Sequence, residues 1–306
     1  MLTKIEALNM VDIQRDLWNK FLLNNPNQAS VFHTQEWMQT LQEAHGYEPK
    51  YLTMMTEDHS FIAAIPFMID IRFGIKNYLS MPYDTYGGVI GDIEIASHLI
   101  NKFLRLPGIG VRYYVDYTNK SIVCKDYVSL KQSTELMDIS EDVDVIWKKL
   151  HKDNRTAIRF ANNYNVTTRI TSEYLNIFDK IPQNLVKSIL NNMCPEYCVQ
   201  YIADIDNVCV AASLFFIYGD MAMYWANTTT ELGRKTNSNY LLLWSAIQYA
   251  KLKGCTTFNF GSSPSGANNL IKFKKSWGTN TYTYTKYQKT PFLIKPLLVI
   301  KEVIHG

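Results

Sequence analysis

Hydrophobic and polar positions along the chain fall into two alternating patterns. Tyr51 to Thr56 and Phe61 to Phe67 are β-type runs separated by Glu57-Asp58-His59-Ser60, and Tyr201 to Ile205 and Val208 to Phe216 repeat that arrangement around Asp206-Asn207. Polar turn residues between two such runs predict a β-hairpin. Each second run carries Ala-Ala and then an aromatic (Ala63-Ala64 and Phe67; Ala211-Ala212 and Phe215), and the leading tyrosines are 150 residues apart. Helical periodicity comes before each hairpin, over 16–22 and 34–43 in the first half and over 143–162 and 174–190 in the second. A third strand (221–226) follows the second hairpin, then a helix over 239–252 and a strand from Thr257. Asn237, Ser238 and Asn239 are N-cap types for that helix, Leu243, Ile247 and Ala250 share one face, and Gly254 is placed to end it. Helices alternating with antiparallel hairpins, twice over, predict an α/β (α+β) chain built from two copies of one domain. Two unrelated hairpins are the other reading.

Composition agrees with two folded domains. The 306 residues suffice for two cores, and 47% hydrophobic with 19% charged content belongs to a globular chain. The first residues, Met1 to Glu6, lead into Asp12, Arg15 and Asp16 without an apolar secretory core. The longest nearly uncharged apolar run, Val208 to Tyr218, is too short for a bilayer and reads as a buried strand. A cytoplasmic protein is expected. Its five cysteines (124, 194, 198, 209, 255) are expected to be reduced thiols. Cys194 and Cys198 are four apart, but no second ligand pair lies near them, so no metal site is expected.

Charge is unevenly spread. The net charge is +3, yet residues 251–306 hold nine lysines and one acid, Glu302, against 22 basic and 27 acidic residues before them. That distribution suits a polyanionic partner (a nucleotide diphosphate, an RNA or an anionic lipid surface) or a solvated lysine-rich face. Lys148, Lys152, Arg155 and Arg159 recur at helical spacing. Arginines so placed make bidentate bonds to phosphate or carboxylate, with a solvated face again the alternative. Arg234-Lys235-Thr236 fronts the helix over 239–252. Free N–H groups and the dipole at that end favour an anion, although an ordinary capped start has the same sequence. Finally, Thr256 to Gly261 is a β-type run that stops at a glycine, followed by Ser262 to Gly266 and then Phe273-Lys274-Lys275-Ser276-Trp277-Gly278. Low bulk beside fixed cations lets backbone amides and a lysine close on an anionic or carbonyl substrate. A surface loop running into a basic amphipathic segment is the plain reading of the same residues.

Four segments resemble the FemA/FemX (FemAB-like) branch of the GNAT superfamily: Phe32-His33-Thr34-Gln35-Glu36-Trp37, Leu79 to Gly88, Lys152 to Ala161, and Asn259-Phe260-Gly261 through Phe273-Lys274 and Trp277-Gly278. The last is the most specific, and the resemblance runs over nearly the whole chain. It implies two tandem GNAT-like domains, each a mixed, largely antiparallel sheet flanked by helices. Residues 1–140, completed by the C-terminal tail 286–306, would form the first, and residues 141–285 the second. The implied activity is acyl transfer: an aminoacyl group from aminoacyl-tRNA, or another acyl group, onto an amine of a peptidoglycan or polysaccharide precursor of the cell envelope. By this likeness Lys274 would stabilise the carbonyl oxygen as it becomes negative. Asp116 stands at the place of a family aspartate usually followed by proline, here by Tyr117; it, or a carboxylate or phosphate of the acceptor, would take the proton, and a structural strand-end aspartate is the plain reading. Lys152, Arg155 and Arg159 would hold the phosphates of a nucleotide- or lipid-linked acceptor, and Phe273, Arg234 and Asn239 count with the substrate-binding residues.

No resident cofactor is implied, since aminoacyl-tRNA or acyl-CoA enters as the donor substrate. Expected partners are the anionic precursor, tRNA and a peripheral membrane surface. The six histidines (33, 45, 59, 98, 151, 305) form no Ser-His-Asp or Cys-His arrangement, which makes direct attack by the acceptor amine the simpler chemistry. Two departures stand out. Arg234 to Asn239 occupies the place of the coenzyme A motif Q/R-x-x-G-x-G/A but has asparagine at the glycine positions, which weakens coenzyme A as donor. There is also no long charged heptad segment, so the chain resembles the armless type. A coenzyme-A- or carrier-dependent N-acyltransferase for a sugar or small amine, and a non-catalytic nucleotide- or RNA-binding tandem domain, are the alternatives.

Overall fold

Short helices alternate with long hairpins throughout the computed structural model, which describes residues 4–83, 85–108, 110, 112–116, 127–175, 178, 181–263 and 266–289. Two units result, Met1–Gln132 with Thr283–Gly306, and Ser133–Tyr282. The first contains β1 (Lys4–Asn9), α1 (Arg15–Leu23), α2 (Gln35–His45), β2 (Glu48–Met55), β3 (Phe61–Arg72), β4 (Ile75–Ser80), β5 (Ile90–Gly91), α3 (Ile93–Leu104) and β6 (Arg112–Asp116). β1 to β4 form an antiparallel meander, and β6 joins β4 in parallel from Tyr78↔Arg112 to Ser80↔Tyr114. Thr34 starts α2 by accepting the Trp37 N–H at 3.2 Å, and Trp37, Met38 and Leu41 fill the interior. The core on the α3 side joins Leu52, Ile65 and Phe67 of the first hairpin to Leu99 and Phe103.

The second unit takes most of β7 (Val128–Asp138), then α4 (Val143–Lys149), α5 (Lys152–Asn163), β8 (Thr167–Ile170), α6 (Gln183–Asn192), β9 (Cys198–Ile205), β10 (Val208–Tyr218), β11 (Met221–Thr229), α7 (Glu231–Lys235), α8 (Ser238–Leu252), β12 (Thr257–Ser262) and α9 (Asn268–Lys275). β8 to β11 are antiparallel, β12 joins β11 in parallel, and β7 lies antiparallel on β12. α8 buries Leu242, Leu243 and Ile247 in a core with Ala203, Val210, Phe258 and Phe260, to which α5 adds Ile158 and Ala161. Both units thus repeat hairpin, third strand, helix and parallel strand: β2-β3-β4-α3-β6 in one, β9-β10-β11-α8-β12 in the other. β13 (Asn280–Lys289) follows, and its Thr285–Lys289 portion pairs antiparallel with Asp116–Arg112 of β6. Residues 290–306 of the expected tail lie outside the described residues.

Two helices differ from expectation. The helix over 143–162 is two, broken where Leu150 and His151 are extended (ψ 145 at each) and the His151 N–H bonds to Ser276 O at 3.2 Å instead of to a preceding turn. The helix expected over 174–190 starts only at Gln183, behind the N-cap Pro182. Proline has no N–H and holds the preceding residue out of the helical region.

Candidate active site

The β11–β12 ladder runs from Met221↔Thr257 to Met223↔Asn259 and ends there, although β11 continues to Thr229 and β12 to Ser262. On its other side β12 bulges: Asn259 faces Leu136 but Ser262 faces Thr134, three steps against two. Gly261 takes φ +75 in the bulge, and its N–H donates to Asn259 Oδ1 at 2.8 Å. The same oxygen accepts Thr134 Oγ1 at 2.6 Å. The bulge aims the carbonyls of Gly261 and Ser262 at Lys274 of α9, whose Nζ donates to them at 2.9 and 2.7 Å. Lys274 is 3% exposed, whereas its neighbours Lys272 and Lys275 are exposed. The plain reading of a basic surface segment therefore holds for those two and fails for Lys274. Burial lowers its pKa to about 8, against the opposing pull of the buried Glu135 carboxylate. Glu135 in turn accepts the hydroxyls of Thr279 and Thr281, each at 2.8 Å. An ammonium has three N–H groups, and the bulge takes two.

Past the end of the ladder, Asn227, Thr228, Thr229, Gly233, Arg234, Asn237, Asn239 and Tyr240 line a cavity of about 420 Å³. α7 lies so close to β10 that a Cβ on Gly233 would stand 2.3 Å from Val210 O. Arg234 Nη1 donates to Thr229 O at 2.8 Å, which fixes the guanidinium beside the cavity. Asn237, the N-cap of α8, has φ 55 and makes no side-chain cap, and no acid occupies the first turn of α8. That end of the helix keeps its positive partial charge. Asparagine tolerates the left-handed region better than most side chains, so Asn237 can hold this φ.

α5 and α9 are tied together by Ser276, whose Oγ donates to Asn154 Oδ1 at 3.0 Å. Phe273 packs edge-on to Tyr240 of α8 at 5.5 Å and against Trp277 at 6.2 Å, so it is partly a core residue. Of the basic face, Lys152 is exposed, Arg155 is half-buried with Nη1 3.3 Å from Lys148 O, and Arg159 lies over the Trp147 ring at 5.6 Å. The second unit thus supplies Lys274, Phe273, Lys152, Arg155, Arg159, Arg234 and Asn239. Asp116 belongs to the first unit, on β6 opposite Thr285. Sequence reasoning missed Tyr224, the β11 residue just past the last parallel pair. Burial raises its phenol above the ordinary range, and it stands beside Asn239 and Ser213. Its contacts with those two side chains pull the phenol the other way, but burial outweighs them. In Met221 to Thr229 nothing marks Tyr224 out from any aromatic strand residue.

Residues 150–275 match the acetyltransferase (GNAT) domain family. FemX superposes on the chain with a TM-score of 0.66 at 12% identity, over 92% of this chain and 96% of that one. The chain has a tandem GNAT fold, as FemX does. The same tandem GNAT fold is seen in a tandem GNAT protein from the clavulanic acid biosynthesis pathway (TM-score 0.57, 10% identity, 94% and 98% covered). It is seen again in the C-terminal domain of a protein from Agrobacterium fabrum provisionally named a lysylphosphatidylglycerol synthetase (0.56, 12%, 94% and 95%). No curated protein sequence matches the chain. Within this GNAT-type acyltransferase fold the matched family stretch starts two residues before α5 and ends on the last residue of α9, so it takes in Lys274 and the cavity of α8. Among the described residues no helix is long and apolar enough to cross a membrane.

Proposed function

We propose that the protein is a FemAB-type acyltransferase that moves an aminoacyl group from aminoacyl-tRNA onto an amine of a cell-envelope precursor in the cytoplasm. The observation that carries this reading is Lys274: a buried cation held by two carbonyls, with one N–H left, where β11 and β12 part. A cation fixed in a water-poor place stabilises a carbonyl oxygen as it turns negative, and it needs no reorganisation to do so. The acceptor amine then attacks the ester carbonyl directly, the acyl C–O bond breaks, and the tRNA ribose oxygen leaves as a hydroxyl, while positioning both substrates supplies much of the remaining acceleration. Asp116 is the proposed proton acceptor. Arg234, Asn239 and the start of α8 would bind the donor's anionic end. Lys152, Arg155 and Arg159 would hold the phosphates of a nucleotide- or lipid-linked acceptor.

A second reading keeps the chemistry and changes the donor. Asn237 has the left-handed backbone that a glycine there would take freely, and the cavity beside it falls in the range of small-ligand sites. An acyl-CoA would fit this reading, with a sugar or small amine as acceptor. Incubation with labelled aminoacyl-tRNA and, separately, labelled acetyl-CoA, in the presence of amine-bearing envelope precursors, distinguishes the two. Transfer from tRNA alone supports the first reading and transfer from the thioester alone the second. Transfer from neither, with tRNA or nucleotide still bound, would make the protein a binding module.

A further inference from the structure

The β3–β4 hairpin closes on two residues, Phe73 (φ 51) and Gly74 (φ 74), between the paired Arg72 and Ile75. Two left-handed residues in a two-residue loop make a type I′ turn, whose first position ordinarily takes Asn, Asp or Gly. A bulky side chain is strained there. This chain uses phenylalanine, and the ring packs on nothing: at 103% exposure it is the most exposed large hydrophobic among the described residues. Ile71, diagonally below on β3, is 46% exposed. Single exposed apolar residues need no explanation. A strained one at the summit of a hairpin, with a second beneath it, breaks a local rule without any gain to the fold, and such breaks are found where a protein meets its partners.

The neck of the hairpin indicates which partner. Lys76 stands across from Ile71, while Arg72 is paired with the Asp70 carboxylate at 2.7 Å. Behind them His45 lies between the rings of Tyr47 and Tyr83, at 5.1 and 5.6 Å, and its Nε2 is 2.6 Å from the Tyr83 hydroxyl. Tyr83 is 41% exposed. An apolar tip followed by a cation is the order of chemistry met on leaving a bilayer: acyl chains, then phosphates. We propose that the β3–β4 hairpin is a membrane-contact element, with Phe73 and Ile71 entering the surface of an anionic lipid bilayer and Lys76 at the level of its phosphates. An apolar groove on a protein would receive the ring as well but would give no role to Lys76 at the neck. The inference rests on the hairpin and not on the acyl-transfer reading.

The test is sedimentation with vesicles of phosphatidylglycerol and phosphatidylcholine, and with phosphatidylcholine alone. Phe73→Asn suits the turn better than the native residue, so it leaves folding intact and removes only the ring. The parent and Phe73→Trp should sediment with the mixed vesicles and less with phosphatidylcholine alone, while Phe73→Asn binds at least ~10-fold more weakly. A parent that stays in the supernatant, or a Phe73→Asn protein that binds as the parent does, overturns the proposal. Acyl transfer to a water-soluble acceptor should be the same for parent and Phe73→Asn, so a failure of that reading shows separately.

Discussion

Lys274 of α9 and Gly261 of β12 are joined by a 2.9 Å hydrogen bond from ammonium to carbonyl, and the carbonyl is available only because β12 bulges. Helix and bulge therefore hold each other in place. Substituting Lys274 leaves two carbonyls without their donor and removes a cation from the point where β11 and β12 part. Lys274→Met should lower turnover by ~10²-fold or more while substrate binding persists. Single-turnover kinetics beside equilibrium binding would show it, and parental turnover in a folded variant would exclude a chemical role.

The same lysine makes stability depend on pH. Its folded pKa of about 8 lies below the ordinary 10.5, so between those values the unfolded chain carries the extra proton. Stability should rise with pH across that window, by up to about 3 kcal/mol, and the gain is absent below it. Urea unfolding of the parent and of Lys274→Met at several values between pH 7 and 10 isolates this contribution, because the other titrating groups are common to both. Equal slopes would mean that Lys274 is not buried as a cation.

His33 acts at the acid end. It is 1% exposed, its Nδ1 accepts the Ser30 N–H at 3.0 Å, and burial lowers its pKa from 6.5 to about 4. The unfolded chain takes up the proton first, so stability should fall as pH drops from 6.5 towards 4, by up to about 3 kcal/mol. His33→Asn keeps an acceptor and cannot titrate. Its unfolding midpoint should vary less over this range than that of the parent.

Gly233→Ala puts a methyl group 2.3 Å from Val210 O, against backbone that cannot swing aside. α7 must then lift off β10 and carry Arg234 with it. A loss of roughly 1–3 kcal/mol is expected, as for overpacking in a core. A weaker hold on the anionic donor should accompany it, read as a raised donor KM. Unchanged stability would show that α7 is free to move.

Replacing Arg155 and Arg159 by alanine should weaken acceptor binding more than donor binding, measurable by calorimetric titration with each substrate. The Arg159 change also removes a guanidinium from the face of Trp147, a contact worth roughly 0.5–1 kcal/mol at an exposed site. A small loss of stability should therefore accompany Arg159→Ala, beside whatever Arg155→Ala loses with its 3.3 Å bond to Lys148 O.

What the sequence made legible was local. The hairpins at Tyr51 and Tyr201, the helix starting near Thr34, and the helix ending near Gly254 depend on residues within a turn or two of one another, where turn chemistry and periodicity speak directly. Lys274 was readable as a candidate through its family motif, but its burial was not. That burial depends on a bulge set by the pairing of Thr134 with Ser262, and on Glu135 meeting Thr279 and Thr281 across some 145 positions. The break at Leu150 and His151 was hidden for the same reason: the bond that ends α4 is made to Ser276.

The pairing of Thr285–Lys289 with β6 makes the second unit an insertion in the first. During synthesis the inner unit has all of its strands before the outer one does. Until the ribosome has passed Lys289, β6 carries an open edge next to β4, a template for pairing with other chains. The nascent protein therefore closes from the inside outward, and a chain stopped after Tyr282 would leave an intact inner unit attached to a sticky, unfinished outer one.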